Sequence, residues 1–173
     1  MHNLNEKSMN GCPKVYLAGP DVFRPDAARI FADHVGACDA LGLLALIPLD
    51  ETLTTAAAIF AGNVGLIDQA GAVIADITPF RGPHCDVGTA WEIGYATAKG
   101  IPVFAYALDR RLLIERVAGT TGRDRDGCLV EDFGLTENLM IAATLADRTV
   151  HASFVAAAER AAAHLRTARP VRS

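Results

Sequence analysis

The sequence predicts an α/β fold, a doubly wound parallel sheet in a single domain. Three observations support this. Four short apolar runs recur along the chain: KVYLAG (14–19), LLALIPL (43–49), AVIADI (72–77) and IPVFAYAL (101–108). Segments with helical spacing or helix-stop glycines separate them. Each run is continuously apolar rather than alternating, as strands are when both faces of a parallel sheet are covered. Right-handed crossovers between such strands wind helices onto both faces, giving a three-layer, flavodoxin-like sandwich.

The elements follow in order. Residues 14–19 end at Gly-Pro and read as a buried first strand. In 25–42 the residues Ala28, Phe31, Ala32, Val35, Cys38 and Leu41 form one helical stripe, with Pro25 before the first turn and Gly42 as the stop. Residues 43–49 are a second strand and 54–71 a second helix. The third strand, 72–77, leads into a third helix, 86–100, closed by Gly100. Residues 101–108 are a fourth strand. Residues 109–135 are polar and glycine-punctuated, with only LLIERV helical, and a loop that long in a compact domain usually has a role. Residues 136–146 read as a helix capped by Thr136, and 154–168 as an alanine-rich terminal helix. Residues 1–12 are expected to be a flexible tail, leaving 13–173 as the domain.

Composition narrows the function. With 51% hydrophobic and 21% charged residues, the chain is compact rather than disordered. Sixteen basic and twenty acidic residues give a net charge of −4 and no concentrated basic face, which argues against a nucleic acid polymer as partner. Arg160, Arg166, Arg169 and Arg172 read as a solvated helix end and tail. The scattered Cys12, Cys38, Cys85 and Cys128 form no CxxC pair, which argues against zinc and fits a reducing, cytoplasmic setting. His34, His151 and His164, placed on expected helices, have no ligand spacing, so no metal is expected. No signal peptide or membrane-spanning run is present, so no membrane partner is expected.

Ligands of open parallel sheets bind outside the carboxyl ends of the strands, where strand order reverses. That rule selects the loops 18–27, 47–54 and 76–88. It gathers Tyr16, Asp21, Phe23, Asp76, Phe80, Arg81, Asp86 and Glu92 near one site. Neither GxGxxG nor GxxxxGK[ST] is present, which weakens dinucleotide and ATP readings.

Within that set Glu92 stands out. It lies about 9 Å along the helix axis from Asp86. Its neighbours at helical spacing are Gly88, Thr89, Tyr95 and Ala96, so no local cation explains it. A glutamate in such company is either satisfied structurally or functional. The small residues Gly88, Thr89, Ala90 and Gly94 would let a ligand approach the helix. An ionised carboxylate facing a crevice can act as a covalent nucleophile, as in retaining glycosidic chemistry. Asp86 reads equally as a helix cap.

The stretches YLAGPDVF (16–23), ADITPFRGPHCDVGTAWEIGYATAKGIPV (75–103) and DFGLTENLM (132–140) together resemble the nucleoside 2-deoxyribosyltransferase family over roughly residues 14–145. The resemblance implies a glycosyltransferase that moves 2-deoxyribose between purine or pyrimidine bases, without a cofactor, in nucleoside salvage. Glu92 would be the nucleophile, Asp86 would bind the sugar hydroxyls and Tyr16 would orient Glu92. Asn138 would bind the 5′-hydroxyl with Met140 beside it, both supplied by a neighbouring subunit of a dimer or hexamer. Phe23 and Phe80 would stack on the ligand, with Trp91 among the dry wall, and Arg24 and Arg81 could touch a polar edge. Where the family often places an acid for the leaving base, Asn63 stands here. Asp76 or Asp86 would take that role, or the neutral amide would bind the base. The alternatives are a nucleoside 5′-monophosphate glycosidase, a cytokinin-activating phosphoribohydrolase, and a non-catalytic nucleotide module. A His84–Cys85 nucleophile pair is a further, remote alternative.

Overall fold

A computed structural model describes residues 11–117, 119 and 122–168. The expected tail therefore falls, up to residue 10, outside the described residues, as do Arg169 and Arg172. Five parallel strands form one sheet in the order β2-β1-β3-β4-β5. They are β1 (Lys14–Ala18), β2 (Leu44–Leu46), β3 (Ala72–Asp76), β4 (Val103–Tyr106) and β5 (Val150–His151). The order reverses between β1 and β3, which sets the switch point of the doubly wound sheet there.

Alternation along the central strands divides the core in two. Val15, Leu17, Ile74 and Phe104 pack against α1 (Ala27–Ala40) and the terminal helix, α6 (Phe154–Thr167). Tyr16, Ala18, Val73, Ala75 and Ala105 face the other way, toward α2 (Ala56–Gln69) and α3 (Val87–Ala98). Each face is thus covered, which is why the strands read as unbroken apolar runs. Helix ends follow local chemistry. The Thr55 and Ser153 side chains accept from Ala58 and Ala156 backbone N–H groups. Gly42 and Gly100 turn the chain out of α1 and α3 with φ of 72° each, the left-handed region that glycine enters at little cost.

Several expectations are corrected. The expected helix 136–146 shrinks to α5 (Leu139–Ala142), and Asn138, not Thr136, caps it. The fifth strand was not expected, and it carries His151, placed by sequence on a helix. In the long loop 109–135, α4 (Leu113–Val117) forms as expected, followed by one antiparallel bridge between Arg123 and Leu129. A 3-10 turn over Pro20–Phe23 follows β1. Among the described residues no helix is long and apolar enough to cross a membrane, and no cluster of side chains suits a metal ion.

Candidate active site

The pleat of β1 aims Tyr16 at α3, and the second turn of α3 aims Glu92 back at it. The buried Tyr16 Oη donates to Glu92 Oε1 at 2.6 Å. Burial pushes the Glu92 carboxyl up to about 7; the Tyr16 hydrogen bond opposes this, and the charge of Asp86 adds to it. Burial and the nearby glutamate hold the Tyr16 hydroxyl far above its ordinary value, so it remains a donor. Glu92 is therefore a carboxylate poised between its two charge states at neutral pH.

Asp86 stands at the mouth of the same helix. Its Oδ2 accepts from the Gly88 and Thr89 N–H groups at 2.9 and 3.2 Å, a helix cap. Among the described residues, Oδ1 has no protein hydrogen bond. A Cβ at Gly88 would stand 2.9 Å from Asp86 Oδ2, so a side chain there would push the carboxylate off its cap.

Both carboxylates face a cleft of about 380 Å³ at the β1/β3 switch point. Gly19, Val22 and Phe23 line it after β1, Pro48, Leu49, Asp50 and Glu51 after β2, and Asn63 from α2. A second hollow of about 270 Å³ adjoins it, sharing Asn63, Gly88 and Glu92 and walled by Phe60 and Trp91. Trp91 stacks on Tyr95 with centroids 5.3 Å apart and meets Phe60 edge-on at 5.2 Å. Four carboxylates border the first cleft (Asp50, Glu51, Asp86, Glu92), a setting hostile to a phosphate. The loop 47–54 was selected by position, but sequence named none of its acids.

Phe23 stacks on Phe80 at 5.6 Å, and the Arg81 guanidinium lies 4.8 and 4.7 Å from the two ring centres. The Phe80 N–H donates to the His84 carbonyl to close this turn, in which Arg81 holds a φ of 56°. Phe23 thus reaches the cleft, with Phe80 and Arg81 behind it.

Other sequence-named residues, Asp21, Arg24, Asp76, Asn138 and Met140 among them, lie outside the cleft lining. Asp21 and Asp76 are buried beneath it, at 7% and 3% exposure. Asp76 accepts from the Thr78 N–H, and Asp21 pairs with Arg24 at 3.1 Å. Asn138 sits by a separate hollow of about 200 Å³ beside His84 and Glu131. Its Oδ1 accepts from Met140 N–H while its Nδ2 donates to Glu131 Oε1 at 2.6 Å. Met140 is 72% exposed. Neither residue lines the cleft that holds Glu92 of the same chain. The His84–Cys85 pair is not a nucleophile: burial pushes the Cys85 thiol up to about 12, and His84 is turned to Glu137 at 2.6 Å.

Fold and cleft define an α/β protein with a carboxylate-lined cleft at the carboxyl edge of the sheet. Comparison with known proteins narrows the class. The family model for nucleoside 2-deoxyribosyltransferase matches residues 15–140, and the chain belongs to that family of pentosyltransferases. The structure of a 2-desoxiribosyltransferase from Leishmania mexicana is 37% identical, with a TM-score of 0.77 over 88% of this chain and 98% of that one. A 2-deoxyribosyltransferase from Bacillus psychrosaccharolyticus shares the fold at 21% identity, with a TM-score of 0.50 over 76% of this chain and 82% of that one. An uncharacterized protein of Schizosaccharomyces pombe is 31% identical over 74% of each chain.

Proposed function

We propose that the protein transfers 2-deoxyribose from one nucleobase to another through a covalent Glu92 ester, with retention at C1′. The observation that carries this reading is the Tyr16–Glu92 hydrogen bond in the cleft wall, which fixes one carboxylate oxygen and leaves the other for chemistry. In the first half-reaction the Glu92 carboxylate attacks C1′ of a 2′-deoxynucleoside. The C1′–N bond breaks, and the departing base takes up a proton. In the second, a ring nitrogen of the incoming base attacks C1′ and gives up its proton, the ester bond breaks and the carboxylate is restored. Two inversions give net retention.

Tyr16 orients the nucleophile and lowers the cost of ionising it. Asp86 spends Oδ2 on the helix and offers Oδ1 to a sugar hydroxyl. Asn63 meets the base through its amide, and Phe23 covers the base from the opposite side. Half-buried Asn138 and exposed Met140 lie outside the lining of their own Glu92 cleft, and they complete a neighbour's site in a homo-oligomer. No cofactor enters any step, and the role fits nucleoside salvage in the cytoplasm. The acids around the cleft favour nucleosides over 5′-monophosphates, against the monophosphate glycosidase alternative.

The test is base exchange. Incubation with 2′-deoxyinosine and adenine is expected to yield 2′-deoxyadenosine and hypoxanthine, read by liquid chromatography. If no purine or pyrimidine donor–acceptor pair gives a new nucleoside, the reading is wrong.

A further inference from the structure

Glu137 lies outside both clefts at Glu92, yet it is 1% exposed and carries a carboxylate. A buried carboxylate is costly unless its oxygens are satisfied, so its partners show what it is for. Its Oε2 accepts from the Cys85 backbone N–H at 2.9 Å. Its Oε1 accepts from the Asn138 backbone N–H at 2.8 Å and lies 2.6 Å from His84 Nδ1. Arg116, its side chain 3% exposed, bonds the Thr136 carbonyl and brings its Nη2 to 3.9 Å from Glu137 Oε2. Among the described residues the Arg116 Nε and Nη1 have no hydrogen-bond partner, and the Nη2 faces the carboxylate.

Apart from Arg116, these partners lie on two segments some fifty residues apart, His84–Cys85 and Asn138. Cys85 immediately precedes Asp86, the cap of α3 and the candidate sugar ligand. Asn138 is the cap of α5 and the candidate ligand for the adjoining subunit. On the far side of Asn138, Glu131 accepts from its Nδ2 and from the Leu139 N–H at 2.6 and 3.0 Å, so the arm is gripped from both ends.

We propose that Glu137 is a positioning residue that ties the Asp86 loop of its own site to the Asn138 arm offered to the neighbouring site, so that the two sites are coupled. This rests on the shared-site reading above. A shift of Asp86 toward a bound sugar pulls on Cys85, and the rigid carboxylate passes that pull to the backbone of Asn138. Hydrogen bonds to a charged carboxylate are stronger than neutral ones, which suits such a link.

Glu137→Gln is the probe. It keeps the shape, but its amide nitrogen must face an N–H or break one of the bonds. Two mixed assemblies separate the arms. In the first, Glu137→Gln chains are diluted into excess Glu92→Ala chains, so live sites have a disturbed Asp86 loop and an intact incoming arm. In the second, wild-type chains are diluted into excess Glu92→Ala/Glu137→Gln chains, so live sites have an intact loop and a disturbed incoming arm. The KM for 2′-deoxyinosine is expected to rise about 10-fold in both, as loss of a charged hydrogen bond at each arm implies. An unchanged KM in the second assembly overturns the coupling and leaves Glu137 as a support for its own loop. A control with Glu92→Ala/Asn138→Ala as the excess chain must also raise KM. If it does not, the shared-site reading is what has failed, and the coupling falls with it.

Discussion

Two pairs of acids sit within one layer of each other and meet different fates. Glu92 and Asp86 border the cleft, and Asp21 and Asp76 lie sealed beneath it. Burial raises the carboxyl affinity for protons at Glu92, Asp21 and Asp76 alike, and each has a tyrosine nearby: Tyr16 for Glu92, Tyr106 for Asp76 and Asp21. What differs is where hydrogen bonds are spent. Glu92 bonds Tyr16 through one oxygen and opens to the cleft. Asp76 is bonded by the Thr78 backbone, and Asp21 by Arg24, with His34 3.9 Å away. A perturbed carboxyl therefore marks a site only where it retains an oxygen that a ligand can reach.

Substitutions in the two pairs should have opposite effects. Glu92→Ala should lower base exchange by at least ~10³-fold, as loss of a covalent nucleophile does, while circular dichroism shows a folded protein. Retention of a tenth of the activity would move the nucleophile elsewhere. Asp76→Asn should do the reverse. It should cost about 1–3 kcal/mol in a denaturant titration, the range for disturbing a buried hydrogen-bonded polar group, with kcat for the folded fraction nearly unchanged. A large loss of kcat without loss of stability would return Asp76 to the catalytic set.

Finer tests use pH. Tyr16→Phe should lower kcat/KM about 10-fold, the weight of one oriented hydrogen bond, and shift the acid limb of the pH profile upward, because the Tyr16 bond is what restrains the rise at Glu92. A limb that stays in place would mean that Tyr16 does not act on Glu92. The smallest effect concerns stability. Since the folded Glu92 carboxyl sits at about 7 against an ordinary 4.5, the native state holds its proton more tightly than the unfolded chain. The stability from that proton is complete below pH 4.5 and is lost as pH rises through 7. Glu92→Gln should therefore match the parent in acid and exceed it in melting temperature above pH 7. Equal melting temperatures at both ends would mean that Glu92 is not strained by burial.

The fold was largely legible because its signals are local. Four apolar runs and the glycine stops after α1 and α3 are all present within short windows. The two-residue β5 was not, since Val150 and His151 form a strand only through pairing with Ala105 and Tyr106, more than forty positions away. At the site, Asp86 and Glu92 were readable from six-residue spacing on one helix, and Tyr16 from its place on the first strand. Asp21 and Asp76 were gathered with them because sequence gives the strand end but not depth. Asp50 and Glu51 look like any polar loop until β2 sets them over the cleft. Glu137 stayed hidden because TENLM shows a charged residue, while the backbone groups that bury it come from Cys85.

The most direct test of the account is to trap the ester. The protein should be mixed with 2′-deoxyinosine and no acceptor base, quenched in acid within one turnover, and its peptides weighed by mass spectrometry. The peptide containing Glu92 is expected to gain the mass of one deoxyribosyl group, fragmenting to that residue. Released hypoxanthine with no adduct on any peptide, or an adduct on another side chain, would contradict a covalent role for Glu92.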